Sequence, residues 1–391
     1  MKISIISRKN QDIKWGGDLR TFETIKLGLQ ELGHEAEILS TSTDLHNTDF
    51  VFLSNTSLDL RPDNNVLDLL GIPYGLIPFH ENYIQYHSPS KGFFEFVKKC
   101  YNETLDSTVK YEIDYLFENP NVINYFEIPP RKCSLINYNT IKNARVCIAN
   151  SPTEARTLLR DCPKATVETV LWTPGFADEF TSEPTNEFLD LTGLKSKSYI
   201  LQVGRFETRK NQLASILATK DLDIPLVFIS TKTNALDYEM FCIQSIVKWR
   251  KAPTIFIGLN ANPCKEGPLQ IIPMPNNQKL SNSMLQSAFF HAGLHLHPAF
   301  QELPGYTYFE SVAQGTATIA SSWTTIQDYF SNPNIDGIIE YCNPGNLQEI
   351  RDLVEKKFGQ SFSSSSVHPI FKRTKKEMAQ EFVNIINKYK N

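Results

Sequence analysis

The sequence lacks a charge surplus of either sign, a paired-cysteine pattern and any long apolar run. Lys plus Arg number 39 and Asp plus Glu 43, a formal net charge of −4. No basic excess is there to coat a nucleic acid, so nucleic acid is not an expected partner. The seven cysteines (Cys100, Cys133, Cys147, Cys162, Cys242, Cys264 and Cys342) are odd in number and scattered, without a C-x-x-C spacing. They read as buried or free thiols of a reducing compartment, with neither a disulfide frame nor a zinc site. No apolar run nears about 18 residues, and the start "MKISIISRKNQ" turns polar too soon for a signal peptide. A cytoplasmic location is expected.

What is present is a repeated alternation. The 391 residues suffice for two domains, each with its own core. Lys2–Ser7 is a short β-branched run, followed by a polar loop with Trp15, Gly16, Gly17 and Asp18. Leu19, Phe22, Ile25, Leu29 and Leu32 then recur at helical spacing, and Gly33 is a natural stop. "EAEIL" and "DFVFLSN" are further strand-like runs, so the order predicts a βαβ unit and a parallel sheet. "YGLIPFH" and "RVCIANS" extend it. A polar, turn-rich stretch follows, and the pattern restarts at "SYILQVGRFETRKNQLASILA". "PLVFIS", "PTIFIGL", "HAGLHLHP", "TATIASS" and "DGIIEYC" supply buried strands of a second sheet. This predicts a first domain over 1–180, a linker over 181–198 and a second domain over 199–370, facing each other across a cleft. The closing segment 371–391 forms a helix begun by a Thr374/Glu377 capping box, with Met378, Phe382, Ile385, Ile386 and Tyr389 on one face. That face needs a partner, expected on the first domain.

Two constellations carry chemistry. In "VGRFETRKN", Arg205 and Lys210 flank a turn from strand into helix, where cations and unpaired N–H groups suit a diphosphate. A solvated first helical turn gives the same pattern. In "HPAFQELPGYTYFESVAQGTATIASS", Glu302 precedes a Pro304-Gly305-Tyr306 turn and Glu310 sits in a helix near Tyr308–Gln314. The two carboxylates bracket a ligand, with the backbone donors of 304–307 between them, and carboxylates accept the paired hydroxyls of a diol. Separately, either glutamate is ordinary.

At these residues the chain resembles the retaining glycosyltransferases of family 4, most strongly from Gly204 to Ser321. "GRFETRKNQ" is similar to that family's phosphate motif, and "ELPGYTYFESVAQGTATIAS" to its E-x7-E motif and following strand, with Ala317 where proline is frequent. "ARVCIANSPTEA", "VLWTPGFADEF" and "DGIIEYCNPGNL" match more weakly. The resemblance implies an α/β fold of two facing Rossmann-like domains, the GT-B architecture. It implies a nucleotide-sugar donor, a glycan, lipid-linked or small-molecule acceptor, and no metal or other cofactor. Arg205 and Lys210 would hold the diphosphate, Glu310 the ribose hydroxyls and Glu302 the transferred sugar, with Pro304, Gly305, Tyr306 and Thr307 completing the site. Gly16 and Gly17 would let the backbone approach the donor. His80, at a strand end, would contact the sugar near the anomeric carbon, with Glu81 and His87 as neighbours able to replace it.

Other readings stand beside this one. A nucleotide-sugar 2-epimerase shares the architecture but needs an acid/base set, and no clear match to one is seen. A phosphorylase needs a cofactor-binding lysine site. A binding subunit would keep the fold without activity, against which the retained Arg205, Lys210 and both glutamates argue. His291, His295 and His297 alternate, but a metal site needs more ligands. Phe93, Phe94, Val97 and Tyr101 share a helical face with Lys91, Lys98 and Lys99 elsewhere, a pattern of a membrane-surface helix or of a core-packing one. Lys372, Arg373, Lys375 and Lys376 offer a similar basic run, and either would permit peripheral membrane contact.

Overall fold

The computed structural model describes residues 1–8, 16–45, 47–102, 113–119, 135–173, 184–231, 233, 235–258, 264–274, 280–330, 337–362 and 369–390. The first sheet has six strands: β1 (Lys2–Ile6), β2 (Glu35–Leu39), β3 (Phe50–Ser54), β4 (Tyr74–Ile77), β5 (Cys147–Ala149) and β6 (Val167–Thr169). All pair in parallel, in the order β2-β1-β3-β4-β5-β6. The second sheet has eight: β7 (Ile200–Val203), β8 (Leu226–Ser230), β9 (Thr254–Gly258), β10 (Cys264–Glu266), β11 (Leu269–Pro273), β12 (Leu294–His297), β13 (Thr318–Ser321) and β14 (Ile339–Cys342). Their order is β10-β11-β9-β8-β7-β12-β13-β14, and only the edge pair β10/β11 is antiparallel.

The apolar runs explain the layering. Phe50 and Phe52 of β3 pack into one core while Val51 and Leu53 pack into another on the opposite face. Leu226 and Phe228 of β8 separate from Val227 and Ile229 in the same way. Strands apolar on both sides belong inside sheets covered on both faces, so each domain is doubly wound. Each sheet reverses its strand order once, between β1 and β3 and between β7 and β12. Loops leaving a reversal diverge to opposite faces and open a crevice beyond the strand ends.

The closing helix runs over Lys375–Tyr389, with the Thr374 hydroxyl accepting from Glu377 N and the Glu377 carboxylate accepting from Thr374 N. Met378, Phe382 and Ile386 are fully buried against Leu19, Phe22 and Ile25 of the helix Gly17–Glu31. The two helices cross so closely that a Cβ on Gly28 would collide with the Lys375 carbonyl and Ala379. Arg373 and Lys375 of the basic run are ion-paired with Glu381 and Glu31.

Two sequence expectations need correction, and a helix left between two readings takes the core-packing one. The stretch 181–198, described from residue 184, holds the helix Glu187–Thr192, whose Phe188 is buried among Tyr199 and Phe289 of the second domain. Phe188, Leu189 and Leu191 give it an apolar side that a plain linker would lack. Strands β6 and β10, three residues each with charged residues among them, and the five-residue β11 were not anticipated. The helix Tyr83–Tyr101, which follows β4, places its apolar face on the second domain. Phe93 packs near Phe300 (ring centroids 6.2 Å apart), and Phe94 lies edge-on to Tyr238 and Phe241. Tyr101 meets Trp249 at 90°. That face is occupied by protein, not available to a membrane. Among the described residues no helix is long and apolar enough to cross one. Cys100, Cys147, Cys162, Cys242 and Cys342 are buried and Cys264 is exposed; Cys133 and Trp15 lie outside the described residues.

Candidate active site

The two strand-order reversals face each other across a cavity of about 380 Å³. From the first domain it takes Arg8 beyond β1, Asn55 and Ser57 beyond β3, and Phe79 and Glu81 beyond β4. From the second it takes Gly204 to Lys210 in part, Thr231 beyond β8, and residues 302–307 in part, which follow β12. Every wall is a strand's carboxyl end, where doubly wound sheets hold ligands.

The loop after β7 is fixed by buried amides. Asn211 Nδ2 donates to the carbonyls of Pro298 and Pro344, and Gln212 Nε2 donates to Arg205 O at 2.9 Å. Gln202 Nε2 holds Lys210 O at 3.0 Å. On this frame a chain of charges is set out. Arg205 Nη2 lies 3.1 Å from Glu207 Oε1, and Arg209 Nε lies 2.8 Å from Glu207 Oε2. Arg209 Nη1 reaches to 3.7 Å from Glu302 Oε2, while the Lys210 ammonium pairs with Glu302 Oε1. His297 Nε2 stands 3.1 Å from that same oxygen.

Burial alone would raise the Glu302 carboxyl pKa, but Lys210, Arg209 and His297 outweigh it and hold the group well below the usual carboxylate range. Glu302 is therefore an anion buried to 6% side-chain exposure and surrounded by cations and a histidine. Burial pulls the Lys210 ammonium down, against the attraction of Glu302. Arg209 is raised, since Glu207 and Glu302 outweigh the burial that lowers it. This wall offers Arg205, Arg209 and Lys210 to a ligand against Glu302 and the flanking Glu207, a positive balance suited to an anion.

The opening residues of the helix Tyr306–Ala313 complete the second-domain wall: Leu303, Gly305, Tyr306 and Thr307 line the cavity, while Pro304 does not. Opposite them stand Gly16 and Gly17 at the start of the helix Gly17–Glu31. A Cβ on Gly17 would come within 3.3 Å of the Tyr306 ring, so glycine permits the close approach of the two domains here. Arg8 Nε is paired with Asp18 at 3.2 Å. Glu81 accepts a 2.5 Å hydrogen bond from the Tyr86 hydroxyl.

Besides Pro304, two expected site residues lie off the cavity wall. His80 is buried in the first domain, with Nδ1 2.8 Å from Thr56 Oγ1 and Nε2 2.9 Å from Asp161 Oδ2. Its ring is turned away from the cavity, and its neighbours Phe79 and Glu81 line the wall instead. Glu310 sits on the buried side of its helix, 5% exposed and absent from the cavity wall. Its Oε1 is 2.7 Å from Arg20 Nη1, a guanidinium of the first domain.

Arg8, Arg209, Asn55, Ser57 and Phe79 were not singled out in the sequence. Arg209 had a signal, a second base beside Lys210; the others reach the cavity only through the sheet order. His297 was noticed for its alternation with His295, and the two rings stack at 5.9 Å. Among the described residues no group of His, Cys, Asp and Glu is placed to hold a metal ion.

No protein-family model matches the chain, and no curated protein matches it in sequence. Solved structures do match in shape. HepE of Anabaena, in complex with UDP and glucose, is 12% identical with a TM-score of 0.62, covering 99% of this chain and 100% of that one. A sucrose-phosphate synthase from Thermosynechococcus elongatus is 11% identical with a TM-score of 0.59, covering 99% and 97%. A UDP-forming α,α-trehalose-phosphate synthase from Burkholderia xenovorans is 12% identical with a TM-score of 0.57, covering 95% and 79%. At such identities the shared property is the fold: two facing Rossmann-like domains in the GT-B arrangement of these glycosyltransferases.

Proposed function

We propose that the protein is a retaining glycosyltransferase of the family 4 type, moving a sugar from a nucleoside-diphosphate donor to a hydroxyl of a glycan, lipid-linked or small-molecule acceptor. The observation that carries this reading is the second-domain wall, where Arg205, Arg209 and Lys210 gather around the buried anion Glu302. Arg205 and Lys210 hold the diphosphate and take up the charge that grows on it as the glycosidic bond breaks. Glu302 contacts the sugar, whose ring gains positive charge in the same step. Glu310 takes the ribose hydroxyls, and Gly305 to Thr307 contribute backbone and side-chain contacts. The other carboxylates of the cavity are already engaged, Glu81 by the Tyr86 hydroxyl and Asp18 by Arg8, so neither is an evident nucleophile. A front-side displacement therefore fits best, with the departing diphosphate drawing the acceptor proton, so catalysis rests on positioning and electrostatic stabilisation. The fold shared with a neighbour solved with UDP and glucose supports a nucleotide-sugar donor.

Thermal unfolding of the full chain with UDP-, GDP-, ADP- and CMP-sugars tests the reading. A ligand at 100 times its dissociation constant stabilises by about 2.7 kcal/mol. The UDP-, GDP- or ADP-sugar is expected to raise the midpoint; a chain indifferent to all four, or stabilised only by the CMP-sugar, which has no diphosphate, would overturn the assignment.

A further inference from the structure

Glu310 is the residue proposed above for the ribose hydroxyls, yet it is engaged by a group from the other domain. Arg20 projects from the helix Gly17–Glu31, and its Nη1 lies 2.7 Å from Glu310 Oε1, with side chains 23% and 7% exposed. The Arg20 guanidinium also stands 5.1 Å above the Tyr306 ring, and Thr21 Oγ1 meets the Tyr306 hydroxyl at 2.6 Å. Tyr306 lines the cavity; Glu310 and Arg20 do not. The carboxylate therefore lies just behind the cavity wall, held by a first-domain cation.

A carboxylate has a limited set of lone pairs. A guanidinium and a vicinal diol both donate to it through paired hydrogens, so the two compete for the same oxygens. A buried carboxylate left without any partner is costly, and Arg20 supplies Glu310 with a counter-ion. We propose that Arg20 is a positioning residue for the donor: it is a counter-ion of Glu310 and is exchanged for the ribose hydroxyls when the nucleotide binds. This rests on the donor-site reading above. The exchange sets donor affinity, because each binding event must first release Arg20 from Glu310.

The test is calorimetric titration of the full chain with UDP, GDP, ADP and CMP, followed by the 2′-deoxy form of whichever binds. Arg20→Met is expected to tighten the ribonucleotide about tenfold, between the worth of an exposed and of a buried ion pair. The 2′-deoxy nucleotide, which offers no diol, should gain far less. Glu310→Gln should weaken the ribonucleotide and erase the preference for it over the deoxy form. A merely structural role for Arg20 would move both nucleotides alike. If Arg20→Met does not fold, Arg20→Lys serves in its place, with a smaller shift of the same sign. Unchanged or weaker ribonucleotide binding in the Arg20 variant, or an equal gain for the deoxy form, overturns the exchange while leaving the donor site standing. Wild-type protein that binds none of the nucleotides defeats the donor-site reading, and the exchange falls with it.

Discussion

His297 Nε2 and Glu302 Oε1 are 3.1 Å apart, and the same carboxylate oxygen meets the Lys210 ammonium. His297 ends β12 and Lys210 ends the loop after β7, so one anion ties together the two strands that flank the order reversal. Glu302 thus has two tasks, holding the cationic wall together and facing the cavity.

Arg205→Ala and Lys210→Ala should part in stability. Arg205 is a third exposed and its loss leaves no buried charge alone, so unfolding by denaturant should be nearly unchanged. Lys210→Ala strips a counter-ion from buried Glu302, a change that typically costs about 3–5 kcal/mol; Arg209 and His297 offset part of it. Both variants should lose about 10²–10³ in turnover, the usual worth of one leaving-group contact. Two variants equally stable, or either with wild-type turnover, would count against the charge assignment.

The two glutamates should differ in kinetics. Glu302→Gln should mainly lower kcat, because the carboxylate interacts more strongly as the sugar gains charge. Glu310→Gln should mainly raise the donor KM, since the ribose does not change during reaction. Glu302→Gln also leaves Lys210 and Arg209 beside a neutral amide, so some stability loss should accompany it. A shared kinetic signature would end this division of labour.

Stability should depend on pH through His295. It is fully buried, neither ring nitrogen has a hydrogen-bond partner among the described residues, and burial, then His297, holds it well below its ordinary pKa of 6.5. Neutral in the folded state, it must gain a proton on unfolding once the pH falls below 6.5. Its contribution is complete above that value and is lost at about 1.4 kcal/mol per pH unit below it. Glu154 runs the other way: burial lifts its carboxyl from 4.5 to about 7, so its stabilisation is present at low pH and lost as pH rises across that window. The comparison is therefore between wild type and His295→Phe. The variant's stability should fall less steeply from pH 6.5 to 5.5, and parallel profiles would contradict the assignment.

Phe382→Ala should cost about 3–5 kcal/mol, the range for emptying a buried aromatic site. Phe382 is fully buried and lies edge-on to Phe52 of β3, 5.7 Å away. Truncation after Ser366 should cost more, because it bares Leu19, Phe22 and Ile25 together. An unchanged denaturation midpoint in the truncated chain would show that the helix is dispensable to the first domain.

Local features were the legible ones. The alternation of apolar runs marked most strands, and Thr374 with Glu377 marked the start of the last helix. The two glutamates were singled out by their separation about the turn together with Arg205 and Lys210, and their roles came from the resemblance to an E-x7-E motif. What pairs with them was not legible, because Arg20 and Glu310 are brought together only by the packing of the domains. The same holds for His80: its place at a strand end could be read, but the direction of its ring is set by Asp161 and Thr56. The face of Phe93, Phe94 and Val97 was equally clear, and only the tertiary fold shows that it covers the second domain. Periodicity reveals that a face must be buried; it does not name the partner.

The central claim, that this cavity breaks a nucleotide sugar with retention, is tested most directly by donor hydrolysis without acceptor. The nucleotide sugar that stabilises the chain is incubated with wild type and with Arg205→Ala, nucleoside diphosphate is quantified, and the released sugar is followed by proton NMR before it mutarotates. The account predicts slow release of nucleoside diphosphate, a sugar first appearing in the donor's own anomeric configuration, and a loss of about 10²–10³ in the variant. Binding without any release, or a sugar first appearing with inverted configuration, would contradict it.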